Sequence, residues 1–397
     1  MLSKQVDDKK LFLSRELAAL DQKQLRRRLR PVSGAQDRRI VLDGKDVLNF
    51  CSNNYLGLAN DPRLRQAAMD GMQAEGFGSG ASRLVCGNMG AYQCLEQELA
   101  RIKKTESALV FSTGYMANVG IISSLFGRDD IIFADRLNHA SIVDGIILSQ
   151  AKFKRYPHRD MEGLEQMLKE SSGYKKKAII TDTVFSMDGD IAPLERIVEL
   201  AEQYECLVMV DEAHALGVLG KNGVGAVEHF GLEGRIDIQM GTLSKAAGSF
   251  GAYVCGSQAL VDLLVNKARS FIYTTGMPPA VAAASLKGVE IIVREPQRRA
   301  QLWANTNHVL AGLRRLGFDT LNTQTPIIPV MVRDARLAVR FSEKLFEQGI
   351  FVSAIRPPTV PLNTARLRLT VMATHTREDL DFLLENMART GKDLCII

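Results

Sequence analysis

From about Leu56 to Arg294 the chain alternates short apolar runs with stretches whose apolar residues recur at helical spacing. The runs "SALVF", "DIIFA", "KAIITD", "CLVMVD", "IDIQMG" and "GAYVCG" read as strands. Several lack the apolar–polar alternation of a strand with one wet face, as expected for strands buried on both faces of a largely parallel sheet. Helical patterns such as "PLERIVELAEQY" lie between them. Strand–helix–strand units of this kind predict an α/β fold, a mostly parallel central sheet sandwiched by helices. Ligands of such sheets bind beyond the carboxyl ends of the strands, so the residues that close each run are the first candidates for function.

The flanks differ. Leu13, Leu17 and Leu20 have helical spacing and predict an N-terminal helix, followed by the basic run "LRRRLRP", read as a solvated face. "RRIVLDGKDVLNF" predicts a short hairpin turning at Asp43-Gly44. Past the long amphipathic helix in "REPQRRAQLWANTNHVLAGLRRLG", the stretches "IIPVMV", "FVSAIRPP" and "ARLRLTVMA" read as strands. "ARLAVRFSEKLFEQG" and "TREDLDFLLENMART" read as helices, the second capped by Thr376. The expected division is an N-terminal helix and hairpin segment (1–48), a large α/β domain (49–294) and a smaller α+β C-terminal domain (295–397).

The totals narrow the function classes. With 397 residues and a net charge of +5, the chain can bury a large core and has no global electrostatic case for nucleic acid. The mild basic excess suits anionic small molecules such as phosphates, carboxylates or coenzyme A. Six cysteines without a CxxC pair predict reduced, buried thiols of a cytoplasmic protein. Six histidines without metal-ligand spacing predict no metal. The N-terminus lacks the long apolar region of a signal peptide. The longest uncharged stretch, Ser107–Gly127, has a polar centre, "STGYMAN", and reads as strand, turn and helix rather than a membrane span.

Lys245 stands out in "GTLSKAAGSFG", a lysine among small residues. It is either a solvated loop lysine or a desolvated amine held for covalent chemistry. Other strand ends supply further candidates. Gly114 and Tyr115 follow "ALVFST", where free N–H groups of a helix N-terminus would face an anion. Asp211 closes "CLVMVD", with His214 three residues on; a cation-paired carboxylate and a helix cap are equally compatible. His139 follows "FADRLN", and Ser186 precedes the Asp-Gly turn of "VFSMDGD". Taken together, an anion cradle, a stacking ring, a hydroxyl, a buried acid and a nucleophilic amine fit pyridoxal phosphate.

The ordered motifs "SNNYLGLA", "GSGASRLVCGN", "FSTGYMANVG", "DRLNHASIVDG", "VFSMDGDIAPL", "VDEAHALGVLG", "GTLSKAAGSFG" and "YTTGMPPA" resemble the α-oxoamine synthase family of fold-type-I pyridoxal-phosphate enzymes over nearly the whole chain. The resemblance implies that Lys245 forms the Schiff base and that Asp211 partners the pyridine nitrogen. It implies that His139 stacks on the ring, that Ser186 and His214 lie near the phenolic oxygen, and that Gly114, Tyr115 and Thr242 bind the phosphate. It also implies a homodimer with shared active sites, in which Thr274 and Thr275 reach the other subunit's cofactor. "AIRPPTVPLNTARLRLT" and "LDQKQLRRRLRP" resemble the branch that joins L-alanine to a pimeloyl thioester, carried on coenzyme A or an acyl carrier protein, in biotin synthesis. There Arg26 and Thr359 would contact substrate, Asn53 would line the pocket and Arg368 would hold the amino-acid carboxylate.

Strand alternation puts Arg366, Arg368 and Thr370 on one face, and Arg366 is expected to be a surface residue. The related condensation of glycine with acetyl-CoA suits "SNNYLGLAN" and "VFSMDG", whereas "RPPTVP" argues against it. Ala81, Cys86 and Leu216 depart from the usual glycine, serine and threonine of this branch. A long-chain acyl specificity and a cofactor-binding regulator without turnover are the remaining alternatives.

Overall fold

The computed structural model describes residues 2–22 and 25–397, residues 2–10 by their backbone alone. In chain order the strands that matter first are β1 (Val32–Ser33), β2 (Arg39–Leu42), β3 (Lys45–Asn49), β4 (Ser107–Phe111), β5 (Ile131–Asp135), β6 (Lys152–Tyr156) and β7 (Lys177–Asp182). They are followed by β8 (Leu207–Asp211), β9 (Ile238–Thr242), β10 (Ala252–Gly256), β11 (Ile327–Arg333), β12 (Ile350–Phe351), β13 (Ser353–Ile355) and β14 (Ala365–Thr370).

The seven strands β4–β10 form one sheet in the order β4-β10-β9-β8-β7-β5-β6, parallel except for β10. Every residue of β5, β9 and β10 is buried, which explains why these runs carry no polar alternation. Alternate side chains nonetheless serve two different cores. Val110, Ile131, Phe133, Ile179, Val208 and Val210 pack on one face, and Leu109, Phe111, Ile132, Ile180, Met209 and Met240 on the other. Helices cover both faces, so the expected sandwich is the observed one.

The N-terminal hairpin turns at Asp43-Gly44, both in the left-handed region (φ 52° and 78°). Its strand β3 pairs in parallel with β12, and Leu48 and Phe50 share a core with Phe341, Leu367 and Leu383. The hairpin is therefore built into the C-terminal α+β unit, whose other sheet is β11-β14-β13. The helix Arg377–Asp393 starts at Thr376 through a capping box.

Two expectations fail. Arg366 is not a surface residue: all six positions of β14 are buried, and Arg366 forms an ion pair with Asp188. Both faces of this strand are covered because it lies between the small-domain core and the loop after Val184–Phe185. The cysteines are free, but Cys86, Cys94 and Cys395 are exposed, since they lie on loops and helix faces outside either core.

Directly behind the edge that carries Asp211, Lys103 and Glu212 form an ion pair with side chains 1% and 0% exposed. Glu212 also accepts from the Val227 N–H (2.9 Å), and Lys103 donates to the Val224 carbonyl (2.6 Å). Removing one partner strands a charge out of water. Lys103→Met is expected to cost about 3–5 kcal/mol, whereas Lys103→Met combined with Glu212→Leu costs less; urea unfolding of the two variants tests this.

Candidate active site

Three adjacent strands, β8, β7 and β5, end in Asp211, Asp182 and Asp135, all buried. Beyond the first two lies a cleft of about 190 Å³ lined by Gly114, Tyr115, Asn118, His139, Ser186, Asp211, His214, Thr242 and Lys245, among others. The structure thus brings together eight of the predicted residues. Each arrives on a strand end or the turn after it.

Lys245 is held in the turn after β9, where its carbonyl accepts from Gly248 N–H. Gly248 has φ +69°, and a Cβ there would lie 2.6 Å from the Ala59 nitrogen, so glycine is required. Burial is the main reason that the Lys245 pKa falls from 10.5 to about 8; Arg368 adds to this, and Asp211 and Asp182 oppose it. Its Nζ lies 2.8 Å from His214 Nε2, and His214 Nδ1 lies 2.7 Å from the Tyr55 hydroxyl. Burial, then the Lys245 charge, hold His214 well below the usual imidazole range, so it is neutral. Burial raises Tyr55 to about 12. Tyr55 therefore donates to Nδ1 when Nε2–H faces a neutral Lys245, and the directions reverse when Lys245 is protonated.

Asn118 sits one turn beyond Gly114 on the helix Gly114–Leu125. Its Nδ2 donates to Asp211 Oδ2 (2.8 Å) and to Ser141 Oγ (2.9 Å). Ser141 Oγ lies 2.8 Å from His139 Nδ1, and the Ser141 N–H also points at that atom (3.3 Å). Because the Ser141 N–H donates to Nδ1, that atom carries the lone pair and takes the Ser141 hydroxyl proton too, which leaves the His139 proton on Nε2. Burial, then Lys245, lower the His139 pKa, with Asp211 opposing, and favour that neutral ring. Burial and the neighbouring Asp211 push Asp182 well above the usual carboxylate range, while Asp182 accepts from the His139 N–H (2.6 Å). Asp211 Oδ1 accepts from Ala213 N–H (2.8 Å), and each oxygen keeps a free lone pair.

At the anion end the helix Gly114–Leu125 is capped by Thr113, whose hydroxyl takes the Met116 N–H. The N–H groups of Gly114 and Tyr115 remain for an anion. The Thr242 hydroxyl donates to the Gly251 carbonyl (2.8 Å) and lies 2.7 Å from Ser244 Oγ. With its own proton on Gly251, Thr242 accepts from the Ser244 hydroxyl, so both hydroxyl protons are taken in this arrangement.

Behind Ser186, just outside the lining of the cleft, Arg368 Nε donates to the Ser186 carbonyl (2.6 Å), Nη1 to Thr370 Oγ1 (3.0 Å) and Nη2 to Asn53 Oδ1 (3.1 Å). Of its five donors, one remains on each terminal nitrogen, the pair that a carboxylate needs. The chain does not bring the other predicted residues into the cleft. Thr274 and Thr275 line a separate small cavity with Arg83 and Tyr92. Arg26 is exposed and pairs with Asp21 (2.6 Å), and Thr359 accepts from Arg27 (3.3 Å).

Comparison with known proteins agrees with this geometry. A model of class I and II aminotransferases matches residues 45–387. The chain belongs to that family. It is 51% identical over 387 residues to an 8-amino-7-oxononanoate synthase of Symbiobacterium thermophilum, covering 97% of this chain and 99% of the relative. It is 52% identical over 384 residues to that of Citrifermentans bemidjiense, covering 96% and 98%. Among solved structures it is similar to a serine palmitoyltransferase variant of S. paucimobilis with a bound PLP–myriocin aldimine (TM-score 0.92, 32% identity, 97% and 98% covered). It is also similar to the 8-amino-7-oxononanoate synthase of Francisella tularensis (TM-score 0.75, 34% identity, 87% and 98% covered). The α-oxoamine synthase resemblance read from the motifs therefore holds within the family.

Sequence reasoning passed over Asn118, Ser141, Asp182, Ser244 and the role of Tyr55. A signal existed for two of them: Asn118 lies at i+4 from Gly114, and Tyr55 sits inside "SNNYLGLA". Nothing in the sequence joins Asp182 to Asp211, which are neighbours only through the β7–β8 register.

Two measurements follow from this geometry. Trace acetylation of the apoprotein is expected to label Lys245 with a midpoint near pH 8, the amine being protonated and unreactive below it. A midpoint near 10.5 would contradict the desolvated amine. In ¹⁵N NMR, His139 is expected to carry its proton on Nε2 in the wild type and to become a tautomer mixture in Ser141→Ala, with Ser141→Thr restoring it.

Proposed function

We infer that the chain condenses L-alanine with a pimeloyl thioester, releasing carbon dioxide and the free thiol carrier and giving 8-amino-7-oxononanoate for biotin synthesis. The observation that carries this reading is a cleft holding a desolvated Lys245 and a buried Asp211, with a two-donor Arg368 bonded to Ser186 at its border. The relatives of about 50% identity support the choice of substrates.

The donor set fits pyridoxal phosphate: an amine for its aldehyde, a carboxylate for its ring nitrogen and the free N–H groups of Gly114 and Tyr115 for its phosphate. When bound, that group supplies an electron sink for the carbanion at the amino-acid α-carbon. Lys245, Asp211 and Gly114 with Tyr115 would hold it, His139 would lie against its ring, and His214 and Ser186 would line its far edge. Thr242 joins the phosphate site if its hydroxyl turns from Gly251.

Arg368 binds the alanine carboxylate through its two remaining N–H groups, and Asn53 keeps the guanidinium in place. Lys245, neutral above about pH 8, takes the α-proton; a positioned base of this kind contributes roughly 10²–10⁴-fold. His214, bonded to both Lys245 and Tyr55, follows the change of charge on the amine without ionising itself. The His139 Nε2–H is the donor for the oxyanion that forms on the thioester carbonyl. We further propose that the enzyme is a homodimer. Thr274 and Thr275, outside this chain's own cleft, would then serve the neighbouring one. Arg26 and Thr359 would meet the substrate at the cleft's outer rim. Among the described residues, no helix is long and apolar enough to cross a membrane.

Thiol release from the cofactor-loaded protein tests the reading, with L-alanine or glycine against pimeloyl-CoA or acetyl-CoA. Release only with alanine plus the pimeloyl donor is expected, with at least a 100-fold loss in Lys245→Ala. Release only with glycine plus acetyl-CoA would overturn the substrate assignment.

A further inference from the structure

The basic stretch after the N-terminal helix is solvated as expected, with residues 26–30 exposed, and two of its side chains also border a groove. Leu25 lines a depression with the helix Ala335–Glu347 and the loop 356–362, and Arg27 lines an adjoining one with residues 353–359; sharing three residues, the two make one groove. Its wider part, about 870 Å³, combines Leu25, Val339, Pro357 and Leu362 with Arg336, Arg340 and Arg356. Its narrower part, about 320 Å³, runs from Arg27 and Thr359 to Ser353. Leu25, Arg356 and Pro357 line both parts.

The charge balance of the groove sets it apart. Arg26, Arg30, Arg38 and Arg39 nearby each have a carboxylate partner. Among the described residues, Arg27, Arg336, Arg340 and Arg356 form no ion pair, and Glu343 is the one acid lining the groove. Leu362 is 79% exposed beside them. Four uncompensated guanidiniums around an apolar depression attract a partner that is both acidic and apolar.

The layout favours a protein over a free nucleotide. Nucleotide phosphates are gripped by clustered backbone N–H groups or a helix N-terminus. Here the cations are strung along a groove, with Arg336 and Arg340 one helical turn apart on the same face. An amphipathic helix with acidic flanks matches that pattern, its apolar stripe against Val339 and Leu362 and its carboxylates against the arginines.

The groove also ends at the right place. Ser353 is the β13 partner of Arg368 on β14, and its hydroxyl lies 3.3 Å from the sulfur of Cys51, two residues before Asn53. Asn53 is the residue bonded to Arg368. A partner seated in the groove stands beside the Arg368 border of the cleft.

We propose that this groove docks an acidic acyl carrier protein through one of its helices, so that the carrier form of the thioester is the donor this surface recognises. The proposal rests on the function inferred above. The test compares wild-type holoenzyme with Arg336→Glu/Arg340→Glu, using L-alanine with pimeloyl-CoA or with pimeloyl acyl carrier protein. The double variant is expected to raise KM for the carrier-protein donor at least tenfold, with KM for the coenzyme A donor within twofold and kcat unchanged. Arg336→Lys/Arg340→Lys is expected to keep most of the affinity. Equal losses with both donors would assign the groove to the nucleotide, and no loss with either would remove its role; both overturn the proposal. Sedimentation of the double variant as a smaller oligomer would assign the groove to a second copy of this chain and overturn it as well. Binding of unacylated carrier protein, measured without turnover, is expected to weaken at least tenfold. If wild-type enzyme turned over neither donor, the function assignment would fail while this binding measurement still decided the groove.

Discussion

Three carboxylates held out of water at one edge of a parallel sheet are the constraint from which this site follows. Asp135, Asp182 and Asp211 end neighbouring strands. Buried carboxylates persist only where donors or cations meet them. Asp135 is met by His158 and the N–H groups of Leu137 and Arg159. Asp211 is met by Asn118 and Ala213, and Asp182 by the backbone of His139, leaving it inclined to keep a proton. Lys245 is the amine that faces this pair, and the two acids partly offset the desolvation that lowers its basicity. One edge of the sheet thus bears on both the basicity of the amine and, through Asn118 and Ser141, the tautomer of His139.

The second half of the site belongs to a different unit. Strand β14 carries Arg366 to Asp188 and Arg368 to the Ser186 carbonyl, so two arginines spaced two apart grip one loop of the large domain. Arg366 is a clamp and Arg368 is the hand left partly free. When Lys245 is protonated, Tyr55 accepts from His214 Nδ1 and its own proton can turn to Asn53 Oδ1, so a path from Lys245 through His214, Tyr55 and Asn53 to Arg368 joins the chemical end of the site to its carboxylate end. The link that crosses to the unit carrying β14 is Asn53 to Arg368 at 3.1 Å, and the longest is Tyr55 to Asn53 at 3.5 Å, within one loop.

Much of this was legible in the chain. The buried strands announced themselves by lacking alternation, and their last residues included Asp211 and the approaches to Lys245, His139 and Gly114. Thr376 and the Asp43-Gly44 turn were readable because capping and turn chemistry are local. Arg366 was misread because alternation tells which residues share a face and says nothing about what covers that face. The relay through Asn118 and Ser141 was not visible because its members lie on three separate elements.

By itself, the sequence determined the order of strands and helices, the residues delivered to the strand ends and the family to which they belong, since each depends on local periodicity and residue chemistry. Tertiary structure alone decided that β3 joins β12, that Asp182 stands next to Asp211, that Arg366 pairs while Arg368 keeps two donors, and that Arg27 meets Arg356 across a groove. Those facts depend on register and burial. Both are set by contacts between segments far apart in the chain, and no local pattern encodes them.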